Sequence, residues 1–161
     1  LDKVLIDENL PNIQDKIAQL VSALKSRGIE VLGNSSVYGL NSEIIETNDE
    51  KVLYEEFLAP KIFLSLVPDI TEAIRLINAY SGKHSATIVT NEFPQVTRFM
   101  QEVDCAAVYH NASTRFTDGG EFGLGAEIAI STQKLHFRGP IGAEQLVTNK
   151  WFVYGNGHIR E

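Results

Sequence analysis

Short apolar runs alternate with amphipathic stretches along most of this chain. The runs have strand length and are bounded by polar or turn-forming residues, whereas the longer stretches repeat their apolar residues at helical spacing. The strand-like runs are residues 4–6, 29–32, 62–67, 86–90 and 105–110, and the helix-like stretches are residues 13–24, 70–77 and 93–103. Strands and helices that alternate through short connections indicate crossovers in a parallel sheet. We therefore predict an α/β fold, with a mainly parallel sheet and flanking helices.

Local signals mark the ends of several of these elements. Gly28 suits the left-handed position that follows a helix. Asp69 and Glu72 have the spacing of a capping box at a helix N-terminus. The apolar residues of the segment 33–53 show no helical or strand period, which predicts an irregular surface segment with one short helix. The apolar residues 151–154 predict a further strand near the end of the chain.

Composition narrows the possible partners. The 161 residues include 14 Lys and Arg against 21 Asp and Glu, which gives a formal charge of −7. Proteins that bind nucleic acids or anionic membranes have a basic face, so this acidic composition argues against both partners. A single Cys forms no internal disulfide, and four scattered His residues do not make a dense metal site. No apolar run approaches the roughly 20 residues that span a bilayer. We expect a soluble protein of the cytoplasm, without a metal, that binds neither nucleic acid nor membranes.

Two single residues are candidates for chemistry. Cys105 is followed by the apolar run Ala106-Ala107-Val108, with no basic side chain beside it to lower the pKa of the thiol. We therefore interpret Cys105 as a buried structural thiol rather than a nucleophile. His84 immediately precedes a predicted strand and is a weaker candidate, since an isolated His is more often structural than a base.

The polar segment of residues 111–120 follows directly on a predicted strand. Parallel sheets place their ligand sites beyond the carboxyl ends of the strands. The Asn, Ser, Thr, Arg and Gly residues of this segment offer a guanidinium fork for a carboxylate or phosphate and a close approach of the backbone. The alternative is an ordinary turn-rich loop with a solvated Arg115. The nearby Gly123-Leu124-Gly125 lacks the third glycine and the preceding strand of a dinucleotide-binding fingerprint.

A long segment of the sequence resembles a known family. Residues 103–120 are similar to the C-terminal motif of the gamma-glutamyl phosphate reductases, and the similarity continues through residues 122–127, 131–136 and 138–140. Residues 67–88 resemble a second signature of the same family. These enzymes belong to the aldehyde dehydrogenase superfamily, and the resemblance implies that the chain shares its fold.

The resemblance also implies a domain organisation. Residues 1–150 would form a catalytic domain of the aldehyde dehydrogenase type, and residues 151–161 a C-terminal strand that is part of an oligomerisation arm. The reactive Cys of the family precedes the stretch that Val4-Leu5-Ile6 resembles. The nucleophile is therefore expected just upstream of Leu1, and no catalytic residue is expected within this chain. We expect a piece of a longer protein that is inactive by itself.

The activity that the resemblance implies belongs to proline biosynthesis. Members of the family use NADPH to convert L-glutamyl 5-phosphate to glutamate 5-semialdehyde. The implied substrate-binding residues are Asn111, Ser113, Thr114, Arg115, Phe122 and His84, and the implied cofactor-binding residues are Glu56 and Leu58. A homo-oligomer and a functional link to glutamate 5-kinase are expected as well.

Two other interpretations stay open. The chain could belong to another NAD(P)-linked aldehyde dehydrogenase with a different carbonyl substrate. It could also be a non-catalytic assembly module built on the same scaffold. The sequence leaves the choice between NADPH and NADH open, because the contacts that set it lie outside this stretch.

Overall fold

The computed structural model of this protein describes residues 1–125, 127–134 and 136–160. Its strands and helices follow the predicted order. They are β1 (Lys3–Asp7), α1 (Ile13–Lys25), β2 (Glu30–Gly33), α2 (Ser35–Tyr38), β3 (Ile45–Glu46), β4 (Lys61–Val67), α3 (Ile70–Tyr80), β5 (Ser85–Ile88), α4 (Phe93–Glu102), β6 (Ala107–His110), β7 (Ile128–Ile130) and β8 (Gly139–Ile141). Two 3₁₀ turns, Glu50–Leu53 and Ala143–Leu146, complete the regular structure of the described residues. The predicted α/β fold class is confirmed.

Parallel pairing dominates the sheets. β1, β4, β2 and β3 lie side by side in that order and run parallel, and β5 pairs in parallel with β6. β7 and β8 form a short antiparallel pair. The described parallel strands thus form two hydrogen-bonded ladders rather than one continuous sheet. β4 is central in the larger ladder, and it is buried because Leu64 packs on one face while Phe63 packs on the other.

Each parallel ladder has its own apolar core. α1 packs Ile17 and Val21 against Val31 and Leu64 of the larger ladder. Ile17 and Val21 are four residues apart and share one face of the helix, which explains why this stripe is buried while most other positions are exposed. α3 and α4 cover β5 and β6 in the same way. Among the helices of the described ranges, none is long and apolar enough to cross a membrane.

The local signals for helix ends are confirmed at two positions. The Asp69 carboxylate accepts a hydrogen bond from the backbone N–H of Glu72 at 2.9 Å, which caps the N-terminus of α3. Gly28 has a φ of +72°, the left-handed backbone expected shortly after α1. Residues 33–53 contain α2 as the expected short helix, together with β3 and a 3₁₀ turn.

The C-terminal strand predicted at residues 151–154 stays a prediction. These residues pair with no strand in the described part of the chain, and their side chains are exposed, that of Tyr154 to 92%. An apolar run favours extended backbone, but a strand also needs a partner for its N–H and C=O groups. The oligomerisation arm that this run suggests stays a prediction.

Candidate functional site

A cleft of about 580 Å³ lies beyond the carboxyl ends of β5 and β6. Because the two strands are parallel, the segments that leave them meet at the same edge of the ladder. The lining residues are Val89, Thr90 and Asn91 after β5, and Asn111, Ala112 and Ser113 after β6. This volume is within the usual range of small-molecule sites. Two of the predicted substrate-binding residues, Asn111 and Ser113, therefore share one cleft.

A pair of hydrogen bonds fixes Asn111 against Thr90. Asn111 Nδ2 donates to the Thr90 carbonyl at 3.0 Å, and Asn111 Oδ1 accepts from the Thr90 N–H at 3.1 Å. His110 Nε2 lies 2.9 Å from the same carbonyl. Asn111 has a φ of +49°, a backbone conformation that Asn tolerates better than most residues. Its amide thus joins the two segments that line the cleft and keeps one N–H for a ligand.

Ser113, Thr114 and Arg115 form a tight turn after the cleft-lining residues. The Ser113 hydroxyl accepts from the Arg115 N–H at 3.2 Å, and the Ser113 carbonyl accepts from the Phe116 N–H at 3.0 Å. Thr114 is half-buried in this turn, whereas Arg115 is exposed. The Arg115 guanidinium does not line the cleft and makes no hydrogen bond or ion pair with the described residues. Its five N–H donors suit an anionic ligand.

Phe122 belongs to a second cavity of about 550 Å³ beside β6. The lining of this cavity is largely apolar and includes Phe116, Phe122, Leu124 and Pro140. The hydroxyl of Tyr109 donates to Thr117 Oγ1, which fastens the segment that carries the two Phe residues to the strand. Phe122 thus lies near the predicted ligand-binding segment but outside the Asn111 cleft.

His84 lies at the opposite end of the smaller ladder. Its carbonyl accepts from the Ala107 N–H at 2.9 Å, at the amino end of β5. At about 3.3 Å per residue, the distance along the strand from His84 to Val89 is roughly 16 Å. His84 Nε2 is buried and has no hydrogen-bond partner among the described residues. The structure therefore does not bring His84 together with Asn111 and Ser113.

The predicted cofactor-binding residues lie in the loop of residues 55–60, which leads into the amino end of β4. Phe57 is 7% exposed and anchors the loop, whereas Glu56 is exposed and Leu58 is 87% exposed. Leu58 has a φ of +41°, so the backbone turns there. The Glu56 carboxylate makes no hydrogen bond or ion pair with the described residues. Its oxygens can accept from both hydroxyls of a ribose, so the residues fit a nucleotide ligand at this loop.

Cys105 is a buried thiol, as predicted. It is 6% exposed and packs in the core cluster of the smaller ladder, two residues before β6 begins. Burial raises the pKa of the Cys105 thiol, and a 3.9 Å contact with the Ser81 hydroxyl offsets this only in part. Because the thiolate is the nucleophilic form, Cys105 is poorly suited to attack a carbonyl.

A cluster of charges around Asp104 is absent from the sequence-based predictions. The Asp104 carboxylate lies 2.6 Å from Lys134 Nζ, 3.2 Å from Lys83 Nζ and 3.0 Å from Arg138 Nη2. Hydrogen bonds from Lys134, then from Lys83 and Arg138, hold the pKa of the Asp104 carboxyl well below its usual range. Arg138 Nη2 also donates to the Cys105 carbonyl at 3.1 Å. The cluster fastens the segment before β8 to the segment before β6.

The fold and the edge cleft define a class of protein. Parallel strands with polar segments beyond their carboxyl ends are typical of α/β enzymes that bind substrates and nucleotides there. A sequence model of the aldehyde dehydrogenase family matches residues 11–125, more than half of the chain. This chain belongs to the aldehyde dehydrogenase family.

Within that family, the chain is similar to proteins named gamma-glutamyl phosphate reductase. It is 47% identical over 159 residues to one from a strain of Clostridium botulinum, covering 99% of this chain and 38% of that protein. It is 46% identical over 160 residues to one from Geobacillus thermodenitrificans, covering 99% and 37%. The crystal structure of gamma-glutamyl phosphate reductase from Thermotoga maritima matches with a TM-score of 0.87 at 40% identity, covering 99% and 38%. The chain thus spans about 38% of the length of these relatives.

Proposed function

We propose that this chain is the catalytic-domain portion of a gamma-glutamyl phosphate reductase, which converts L-glutamyl 5-phosphate to glutamate 5-semialdehyde with NADPH in proline biosynthesis. The observation that carries the proposal is the 47% identity, over 99% of the chain, to a reductase of that name. The matched region includes the segment that contributes Asn111 and Ser113 to the cleft. A shared cleft segment supports a shared substrate.

The hydrogen-bond donors near the cleft suit a ligand with anionic groups at both ends. L-glutamyl 5-phosphate carries an α-carboxylate at one end and an acyl phosphate at the other. The hydroxyls of Ser113 and Thr114 and the guanidinium of Arg115 would bind one of these groups. The remaining N–H of Asn111 would orient the substrate, and Phe122 would line its entrance. His84 lies too far along the ladder for us to assign it a contact with the same group.

Glu56 and Leu58 are the proposed contacts of the nicotinamide cofactor. The exposed Glu56 carboxylate would accept hydrogen bonds from the ribose hydroxyls, and Leu58 would offer exposed apolar surface to the nicotinamide ring. The chemistry that such a cofactor supplies is hydride transfer. The preference for NADPH over NADH is part of the proposal, and the residues that set it lie outside this chain.

The nucleophile of the proposed reaction is a Cys just upstream of Leu1. Cys105 does not replace it, because the thiol is buried and burial raises its pKa. On this proposal the isolated chain is inactive. The homo-oligomer and the functional link to glutamate 5-kinase belong to the whole protein.

An assay of the full-length protein in the reverse direction tests the proposal. Glutamate 5-semialdehyde, phosphate and NADP⁺ should give NADPH, which is followed by its absorbance, and NAD⁺ should be the poorer substrate. Omission of phosphate should abolish the reaction, because phosphate is consumed when the acyl phosphate forms. Phosphate-independent oxidation of other aldehydes would instead favour a different aldehyde dehydrogenase. No turnover with any aldehyde would favour the non-catalytic module.

A further inference from the structure

Side chains at the start of β1 hold the loop of residues 55–60 on both sides of Glu56. Lys3 Nζ donates a hydrogen bond to the backbone carbonyl of Glu55. The same ammonium lies 4.5 Å from the centroid of the Phe57 ring, within the range of a cation–π interaction. Asp2 Oδ2 accepts a hydrogen bond from the Phe57 N–H at 3.3 Å. Asp2 and Lys3 therefore fix the residue before Glu56 and the residue after it.

These contacts act beside the other anchors of the loop, which are the buried Phe57 ring packed with Val52 and Phe63 and the Pro60 carbonyl that accepts from the Glu30 N–H at 2.8 Å. Residues 55–60 contain no helix or strand. The Glu55 N–H donates to the Lys51 carbonyl at 3.1 Å, which holds only the first residue of the loop. Lys61 Nζ is 5.7 Å from the centroid of the Phe57 ring and 3.0 Å from the Glu30 carboxylate, whereas Lys3 Nζ lies 3.9 Å from Asp2 Oδ2. Lys3 is thus the one cation of the described residues that both hydrogen-bonds to this loop and lies close over its buried ring.

The surroundings of Lys3 strengthen its hold on the loop. Lys3 is half-buried, and this burial lowers the pKa of its ammonium, while the carboxylates of Asp2, Glu55 and Glu56 oppose the shift. A cation that has lost part of its hydration interacts more strongly with a carbonyl and an aromatic ring than an exposed one does.

We propose that Lys3 is a positioning residue for Glu56. By holding Glu55 and Phe57, it presets the loop backbone so that the Glu56 carboxylate faces a ribose without further ordering. A loop that is already ordered binds its ligand more tightly, because the entropy cost of ordering the loop is not incurred on binding. This inference rests on the proposed function. Lys3 acts on cofactor binding only by holding the loop that carries Glu56.

Three variants of the full-length protein test this inference. Lys3→Met removes the ammonium and keeps a side chain of similar length, and Lys3→Arg keeps a cation that can donate to the Glu55 carbonyl. Lys16→Met is the matched control, because Lys16 is exposed on α1 and forms no ion pair with the described residues. The first readout is hydrogen–deuterium exchange of residues 55–60 in the absence of cofactor. The second is the Kd for NADP⁺ from protein fluorescence, together with the KM for phosphate.

Lys3→Met should speed exchange in the loop and weaken NADP⁺ binding about tenfold, the effect of one hydrogen bond to a charged group. The KM for phosphate should stay within about twofold, because only the cofactor loop is loosened. Lys3→Arg should restore most of the affinity, and Lys16→Met should match the wild type. Unchanged exchange and affinity in Lys3→Met, or equal losses in Lys16→Met, would overturn the inference alone. A wild-type protein that does not bind NADP⁺ would overturn the proposed function and this inference with it.

Discussion

Replacing Cys105 by Ser tests whether the Cys105 thiol has a structural role or is the nucleophile. Cys105 packs beside Ile74 and Phe99 in the core of the smaller ladder, and its Sγ lies 3.9 Å from the Ser81 hydroxyl. Serine is smaller and more polar, so the substitution leaves a small void and buries a hydroxyl with one nearby partner. We expect the free energy of unfolding to fall by about 1–2 kcal/mol. Because the thiol takes no part in the proposed chemistry, most of the activity should be kept.

Urea unfolding and steady-state kinetics on the full-length protein measure the two effects separately. Cys105→Ala is the matched control, since it leaves a somewhat larger void but buries no hydroxyl. Both variants should unfold at lower urea concentration than the wild type, while their kcat/KM for glutamate 5-semialdehyde stays within about threefold. A Cys105→Ser protein that unfolds like the wild type but has no turnover would refute the reasoning and make Cys105 the nucleophile.

The burial of Cys105 also gives the stability a pH dependence. The unfolded thiol ionises near its ordinary pKa of 9.0, whereas burial raises the pKa of the folded thiol above that value. Above about pH 9 the unfolded state therefore binds fewer protons than the folded state, and stability falls as the pH rises. Cys105→Ser should lack this part of the alkaline loss. An identical loss between pH 8 and 10 in the wild type and the variant would contradict the assignment.

Substitutions in and beside the cleft, and a measurement on the chain end, give three more tests. Arg115→Lys should lower kcat/KM more than about tenfold, because a point charge does not replace a two-pronged guanidinium, and it should leave the Tm unchanged. Unaltered kinetics would remove Arg115 from the site. Asn111→Gly keeps the positive φ but loses both bonds to Thr90, so activity should fall while stability changes little. Asn111→Ala should cost about a further 1 kcal/mol in backbone strain, and wild-type kinetics in both variants would exclude a positional role. Light scattering should show an oligomer of the full-length protein, since the exposed apolar residues 151–154 need cover; a strict monomer would contradict this.

The features that sequence reasoning predicts correctly have local causes. The stripe through Ile17 and Val21 and the cap from Asp69 to Glu72 each depend on residues three or four positions apart. The hydrogen bonds between Asn111 and Thr90 join residues 21 positions apart, so no local pattern indicates them. The charge cluster at Asp104 likewise gathers cations from distant parts of the chain. The strand expected at residues 151–154 depends on a pairing partner in the same way, and a local pattern does not reveal whether that partner is present.

The strand order of the larger ladder sets the sequence of events during synthesis on the ribosome. Among the described strands, β1 pairs with β4 alone, which lies about 60 positions further along the chain. α1 can form as soon as it emerges, but the apolar face it presents has no completed sheet to cover. Pairing over such separations slows folding and prolongs the exposure of apolar surface. Within this stretch of chain, β1 and α1 therefore wait for Lys61–Val67 to leave the exit tunnel before the sheet that they share with β4 can form.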